Sequence, residues 1–213
     1  MMDEDIKGQG LILAMLIGDG YAYGRYNKLL EFCHHLPQQG YAEWKMGLLQ
    51  QYVHPSTSMF AKKHVPPQVC VRTPYHHKIN AAWKKLYQNG RKVITPEVLE
   101  KLEDIGVAIW YMDDGNVLWR TKTRHGNPAK EVRACGVQLS THSFSKDENE
   151  LIAEWFLRKY NILFGVYSDH RGKGNFLRAT QKEHINRFFS LVSPYVNMVD
   201  CMKYKINYVA QND

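Results

Sequence analysis

Two stretches decide the fold: ILAMLIGDG at residues 12–20 and VAIWYMDDG at residues 107–115. Each is an unbroken apolar run that reads as a buried helix and ends in aspartate followed by glycine. A helix C-terminus carries partial negative charge, so a carboxylate there is disfavoured by roughly some tenths of a kcal/mol. A closing turn with a left-handed glycine explains Gly20 and Gly115. It does not explain why an unfavourable aspartate is repeated at the end of both helices.

Working outward from the first stretch, a helix is expected over 5–18, with Gly10, Ala14 and Gly18 forming a stripe of small residues on one face. Two strands follow within 20–35, a helix over 38–52, strands at 56–63 and 68–73, and a helix over 76–87. The pattern then runs again. A helix over 103–113 leads to strands at 116–124 and 132–142 around the basic loop HGNPAKE, a helix at 146–160, strands at 162–169 and 174–180, and a helix at 182–192. Three echoes occur in the same order: GDG with DDG, YAEW (41–44) with IAEW (152–155), and RTPYHHKIN (72–80) with RATQKEHIN (178–186). Their separations differ, which implies two diverged copies rather than a tandem array. Gly and Pro in NGRKVITPEVLEKL place the junction there, giving domains 1–95 and 96–213. The fold class is α+β.

The chain has 213 residues, enough for a sizeable core, and its 28 Lys+Arg against 21 Asp+Glu favour an anionic partner. No apolar run approaches the roughly 18 residues of a membrane span, and the acidic start MMDEDIKGQG lacks a secretory pattern. The expected location is the cytoplasm or an organellar matrix. Cys33, Cys70, Cys135 and Cys201 lie far apart in sequence without a CxxC pair, so neither a disulfide framework nor a zinc cluster is expected. The CHH at 33–35 and HH at 76–77 do not suggest zinc either, because neighbouring strand residues face opposite ways.

Two converging helix C-termini offer carbonyl oxygens and two carboxylates, a hard-oxygen set suited to Mg²⁺. If the helices pack through the small-residue stripe, Asp19 and Asp114 meet at one end of the seam. That geometry suggests metal-assisted phosphodiester hydrolysis. The alternative of a basic metalloenzyme acting on small phosphorylated substrates lacks a Gly-rich phosphate loop.

The two stretches resemble the signature motifs of LAGLIDADG homing endonucleases of the monomeric, two-motif type. LLEFCHHLPQQGYAEWKMGLL, NGRKVITPEVL and CMKYKI share the family's look, so the resemblance spans nearly the whole chain. It implies a pseudo-symmetric monomer of two αββαββα halves, with the signature helices at the interface and an antiparallel sheet of each half in the DNA major groove. It implies a double-stranded DNA partner, a long recognition site, short 3′ overhangs and Mg²⁺ as cofactor, with Ca²⁺ or Mn²⁺ as substitutes in a crystal. Asp19 and Asp114 match the acidic metal positions, with Gly18 and Asp113 beside them. Lys92 and Lys205 match the basic residues near the scissile phosphates, with Lys203 a competitor for the second place. Asp113, at the position Gly18 holds in the first helix, is expected at the surface or behind the site, and close packing there is expected to fall to Gly106 and Ala108. The resemblance also covers RNA maturases that assist intron splicing and non-cleaving DNA-binding relatives, with intron RNA as partner in the former.

For DNA contact, alternation puts Tyr21, Tyr23 and Arg25 on one strand face. In the second copy Arg120, Lys122 and Arg124 alternate with Trp119, Thr121 and Thr123, and only one set can face DNA. Arg72, Arg171, Lys173 and Arg178 complete the set; arginine can contact guanine bidentately, while lysine more often neutralises phosphate.

Overall fold

The residues of the first stretch leave no polar side for solvent. Leu11 through Ile17 are all buried, so their helix runs through the interior. In the computed structural model, which describes residues 2–62, 66–123, 130–170, 172 and 174–206, this helix is α1, Met2–Ile17. It leads into β1 (Tyr21–Tyr23), β2 (Leu29–His35), α2 (Gln39–Tyr52), β3 (Ser58–Lys62), β4 (Gln68–Arg72) and α3 (His77–Leu86). A two-residue hairpin of β5 (Tyr87–Gln88) and β6 (Arg91–Lys92) and the short α4 (Pro96–Glu100) form the connection. The second run is α5 (Asp104–Asp114), β7 (Gly115–Thr123), β8 (Lys130–Leu139), α6 (Lys146–Tyr160), β9 (Gly165–Ser168), β10 (Asn175–Ala179) and α7 (Lys182–Val196), closed by a 3₁₀ segment, Asp200–Ile206.

The strands form two antiparallel four-stranded sheets of equivalent order, β1-β2-β4-β3 and β7-β8-β10-β9. This is the expected α+β pair of αββαββα halves. Helix α6 follows its sequence signal closely, because Ser145 and Glu148 close a capping box at its start. The connecting hairpin and the 3₁₀ segment were not expected; Asn89 and Gly90, both at positive φ, make the tight turn that pairs Tyr87 with Lys92.

The seam between α1 and α5 uses the small-residue stripe, each member against a different neighbour. A Cβ on Gly10 would lie 2.4 Å from the Lys101 carbonyl oxygen, and one on Gly18 would lie 2.3 Å from an Asp113 carboxylate oxygen. Between them, a Cβ on Gly106 would approach the Ala14 Cβ to 3.3 Å, so Gly106 takes up the close packing expected of it. Neither Gly20 nor Gly115 is left-handed as a closing turn would require. They are glycine because a Cβ would strike the Met15 carbonyl, at 2.4 Å, or the Tyr111 ring, at 1.9 Å.

One cysteine expectation is corrected. Cys33 and Cys70, 37 residues apart in sequence, are directly paired across β2 and β4 and form a disulfide. Strand register brings them together, and distance along the chain could not show it. Among the described residues no helix is long and apolar enough to cross a membrane.

Candidate functional site

The two aspartates that open the question sit at the same end of the seam in different local structure. Helix α5 runs through Asp114, and β7 starts at Gly115. Helix α1 stops at Ile17, so Asp19 lies beyond it, where Gly20 N–H bonds back to the Met15 carbonyl. The N–H of Asp19 instead donates across the seam to the Asp113 carboxylate, at 3.2 Å.

Burial, followed by repulsion from Asp113 and Asp19, pushes the Asp114 carboxyl up to about 7. Burial and Asp113 also raise Asp19. Lys92, Lys205 and, for Asp19, Lys45 pull the other way without cancelling the effect. Three carboxylates crowded at two helix ends, with one held toward its neutral form, make a site that gains from a cation. The donors present, carboxylates and carbonyl oxygens, fit a hard divalent ion.

Both candidate lysines reach this end of the seam. Lys92 donates to the carbonyls of Gly18 and Gly20, each at 3.0 Å. Its strand is fixed from the other half: Glu148 accepts the Ile94 N–H at 2.8 Å and an Arg91 guanidinium N–H at 3.2 Å. Lys205 donates to the Met112 carbonyl and lies 3.4 Å from those of Tyr111 and Asp113, while the Tyr111 hydroxyl donates to the Lys205 carbonyl at 2.6 Å. Burial lowers the pKa of both lysines. Lys203 instead pairs with Asp200 at 2.6 Å on the exposed side of its segment. The lysines therefore meet opposite helix ends in corresponding ways.

Asp113 is not a surface carboxylate. Its side chain is fully shielded and paired with Lys45 at 3.0 Å, itself fully shielded, and it accepts the Tyr41 hydroxyl proton at 2.8 Å. Sequence reasoning missed His34: its Nδ1 lies 3.7 Å from the Asp19 carboxylate, and although Asp113 has metal-ligand spacing to both, its carboxylate oxygens are already engaged by Lys45, Tyr41 and the Asp19 N–H. Burial, then Lys45, lowers the His34 pKa to about 3, keeping the ring neutral. Alternation along β2 carried the missing signal, because it puts His34 on the core face with Leu30 and Phe32. A second group with metal-ligand spacing, Glu31 with Cys33 and Cys70, is closed to metal by the disulfide.

Each sheet starts at the site and leaves one face open. On the first, Tyr21 and Tyr23 are exposed, as alternation requires, and both hydroxyls donate to Glu31. Glu31 also receives Lys62 and Arg72, each at 2.6 Å. Burial opposes its charge, but the hydrogen bonds from Lys62, Tyr21, Arg72 and Tyr23 prevail and lower its pKa to about 2. Arg25 lies past the end of β1, its guanidinium 5.2 Å from the Tyr26 ring centre. On the second sheet Arg178 donates to Gln138 at 2.9 Å and covers the rings of Tyr167 and Phe176. Strict alternation fails in β7, where a register shift between Leu118 and Trp119 leaves both Trp119 and Arg120 exposed. Lys122 is on β7 but its side chain is outside the described set, and Arg124, Arg171 and Lys173 lie outside the described residues.

Register aligns the two open faces row by row. Tyr21, Glu31, Arg72 and Ser58 cross the first sheet as Asn116, Gln138, Arg178 and Gly165 cross the second. An arginine on the third strand of the row is thus paired with an acidic acceptor in one half and an amide in the other.

Comparison with known proteins agrees with this architecture. The chain is 27% identical over 124 residues to the uncharacterized protein MJ1098 of Methanocaldococcus jannaschii, covering 56% of this chain and 43% of that protein. It is 25% identical over 205 residues to the probable intron-encoded endonuclease 1 of Wickerhamomyces canadensis, covering 92% of this chain and 81% of the relative. It is 24% identical over 191 residues to the cytochrome b mRNA maturase bI2 of Debaryomyces hansenii, covering 89% of this chain and 64% of the relative. Among solved structures, the homing endonuclease I-WcaI bound to its DNA recognition sequence superposes with a TM-score of 0.74 at 21% identity, covering 96% of this chain and 87% of that one. The model of the LAGLIDADG DNA endonuclease family matches residues 10–188, and the chain belongs to that family.

Proposed function

We propose that the chain is a monomeric, Mg²⁺-dependent, site-specific endonuclease that cuts both strands of a long DNA target and so promotes mobility of an intron or intein-like element. The observation that carries this reading is the convergence of Asp19, Asp114, Lys92 and Lys205 at one end of the seam, where both open sheets begin.

Dependence on a divalent metal is typical of the family. Asp19 and Asp114 are the residues that would hold such an ion. When bound, Mg²⁺ supplies a more acidic water and compensates charge on the leaving oxygen. The protein's own groups do the rest. Lys92 and Lys205 bring positive charge to the two helix ends, where the phosphates of opposite strands would lie. Their present carbonyl partners hold them in place before substrate arrives. The open sheet faces supply orientation: Arg72 and Arg178 for base edges, and Tyr21, Tyr23, Trp119 and Arg120 along the groove.

The test is a duplex bearing the host sequence joined across the encoding element. Purified protein with Mg²⁺ should cut it at one place, and EDTA should stop cutting while leaving binding. Wild-type protein that binds this duplex but never cuts it with Mg²⁺ or Mn²⁺ overturns the nuclease reading. The maturase relative supports a second reading, assistance of intron splicing, which predicts accelerated splicing of the encoding intron RNA.

A further inference from the structure

Among the described residues, the seam carries a charged intrusion, Asp113, whose echoed positions in the other half hold no charge. The echo of GDG with DDG pairs Gly18 with Asp113, and the echo of YAEW with IAEW pairs Tyr41 with Ile152 and, one residue on, Lys45 with Phe156. In one half a carboxylate crosses the seam to a lysine and a tyrosine hydroxyl. In the other half the matching positions are Gly18, Phe156 and Ile152, which can form no such contact. Lys45 is also stacked over the rings of Phe32, at 4.1 Å, and Tyr41, at 4.5 Å, so aromatic faces enclose its charge beside Asp113.

The intrusion ends on one functional atom. Asp113 accepts the N–H of Asp19, a residue that has left its helix and has lost the helical acceptor for that proton. Asp114 is held differently, as the last residue of α5, with its carbonyl accepting from Ser140 at 3.0 Å. We infer that Asp113, clamped by Lys45 and Tyr41, is a positioning residue for Asp19 and not for Asp114, so that the two strands of a DNA target are cut with unequal dependence on it. The inference rests on the nuclease reading for its consequence but not for its structural content.

The mechanism is one of orientation. Past the end of α1, Asp19 has the freedom of a turn, and its carboxylate direction is set by its own backbone. A buried, immobile acceptor removes that freedom before substrate binds, which is how a fixed group contributes to a reaction without touching it. Asp114 needs no such acceptor because its helix supplies the constraint.

Two measurements test this. The first needs no DNA: amide hydrogen exchange by NMR at Asp19, compared in wild type, Asp113→Asn, and Asp113→Ala combined with Lys45→Met so that no buried charge is left unpaired. The Asn variant keeps an acceptor oxygen and should keep the Asp19 amide protected. The double variant should exchange it about tenfold faster or more, with core amides unchanged. Equal protection in all three proteins overturns the inference.

The second follows the two strands separately, each end-labelled, on the cleavable duplex. The double variant should slow one strand about tenfold more than the other and accumulate a nicked product, with Asp113→Asn restoring much of the balance. Equal slowing of both strands in the double variant, with unchanged melting and DNA binding, also overturns it. Should the double variant fail to fold, Asp113→Gly combined with Lys45→Met takes its place, and a strand ratio identical to wild type in that protein counts against the inference. Failure of wild type to cut any duplex would instead count against the nuclease reading, while the amide experiment still decides whether Asp113 holds Asp19.

Discussion

The amino-terminal half keeps its candidate site groups in a web of charges, whereas the carboxy-terminal half keeps the matching groups in helix and aromatic packing. Asp19 sits outside α1 with its N–H on Asp113, which Lys45 and Tyr41 pair in turn; Asp114 is the last residue of α5, behind which Trp110 and Phe156 stack. On the open faces, Arg72 is tied to a buried Glu31 that also holds Lys62 and two tyrosines, while Arg178 is tied to the neutral Gln138. A duplicated scaffold can therefore keep one geometry with two physical solutions. The charged solution is the more fragile, because removing one partner leaves a buried ion, whereas removing a methylene from packed aromatics leaves only a small cavity.

The largest expected effects lie where the halves act alike. Asp19→Asn and Asp114→Asn should each reduce cleavage about 10³-fold or more while leaving DNA binding within a few-fold, read from labelled-duplex cutting and gel shift. A variant at either position that cuts at the wild-type rate would break the symmetry at its centre and displace that aspartate from the site.

The next effect separates the halves. Lys45→Met leaves the Asp113 charge buried without its partner and should cost about 3–5 kcal/mol in urea unfolding. Combining it with Asp113→Gly, which copies Gly18, should recover most of that loss, because an ion pair replaced whole by apolar groups is often neutral. If the double variant is as unstable as the single one, the pair is not the unit the geometry describes.

How much of this could be read from the sequence follows from the range of the interactions. The apolar runs, the small-residue stripe and the Ser145–Glu148 capping box are local, so α1, α5 and α6 were legible, as was the repeated strand order. The convergence of the Asp-Gly ends needed only the assumption that the stripe packs. What failed was non-local or depended on register. Asp113 meets Lys45 and Tyr41, 68 and 72 residues away, and its local pattern resembles an exposed helix end. The one available signal was a lysine on the face of α2 that matches Phe156, a core position, in the echo. Cys33 and Cys70 pair through strand register, and a bulge in β7 undid the alternation on which the choice between Trp119 and Arg120 depended.

A smaller effect bears on the open faces. Glu31→Gln makes the first row resemble the second and should cost about 1–3 kcal/mol, since four donors lose their charged acceptor. It should also release Arg72 and Lys62, so that binding to non-cognate duplex strengthens at low salt and its salt dependence steepens. An unchanged salt slope would mean that these two cations meet no phosphate in either state.

A further effect is one of pH, and the two halves contribute to it with opposite signs. In metal-free protein the Asp114 carboxyl titrates near 7 because of burial and the neighbouring Asp113 and Asp19, against an ordinary value of 3.8. Between those values the folded chain holds a proton that the unfolded chain has lost, so stability falls as pH rises through that window. Glu31 is displaced the other way, from 4.5 to about 2, so its contribution is present above 4.5 and is lost as pH falls toward 2. Metal-free protein should therefore melt highest near pH 4–5, with each kcal/mol of change shifting the midpoint by about 2–4 °C. Asp114→Asn should flatten the neutral-side decline and leave the acid side intact, and Glu31→Gln should do the reverse. Mg²⁺ should flatten the same neutral side as Asp114→Asn, because a bound cation favours the ionised carboxylate. A neutral-side decline that persists in Asp114→Asn would place the titrating group elsewhere and remove the electrostatic argument for a cation at this helix end.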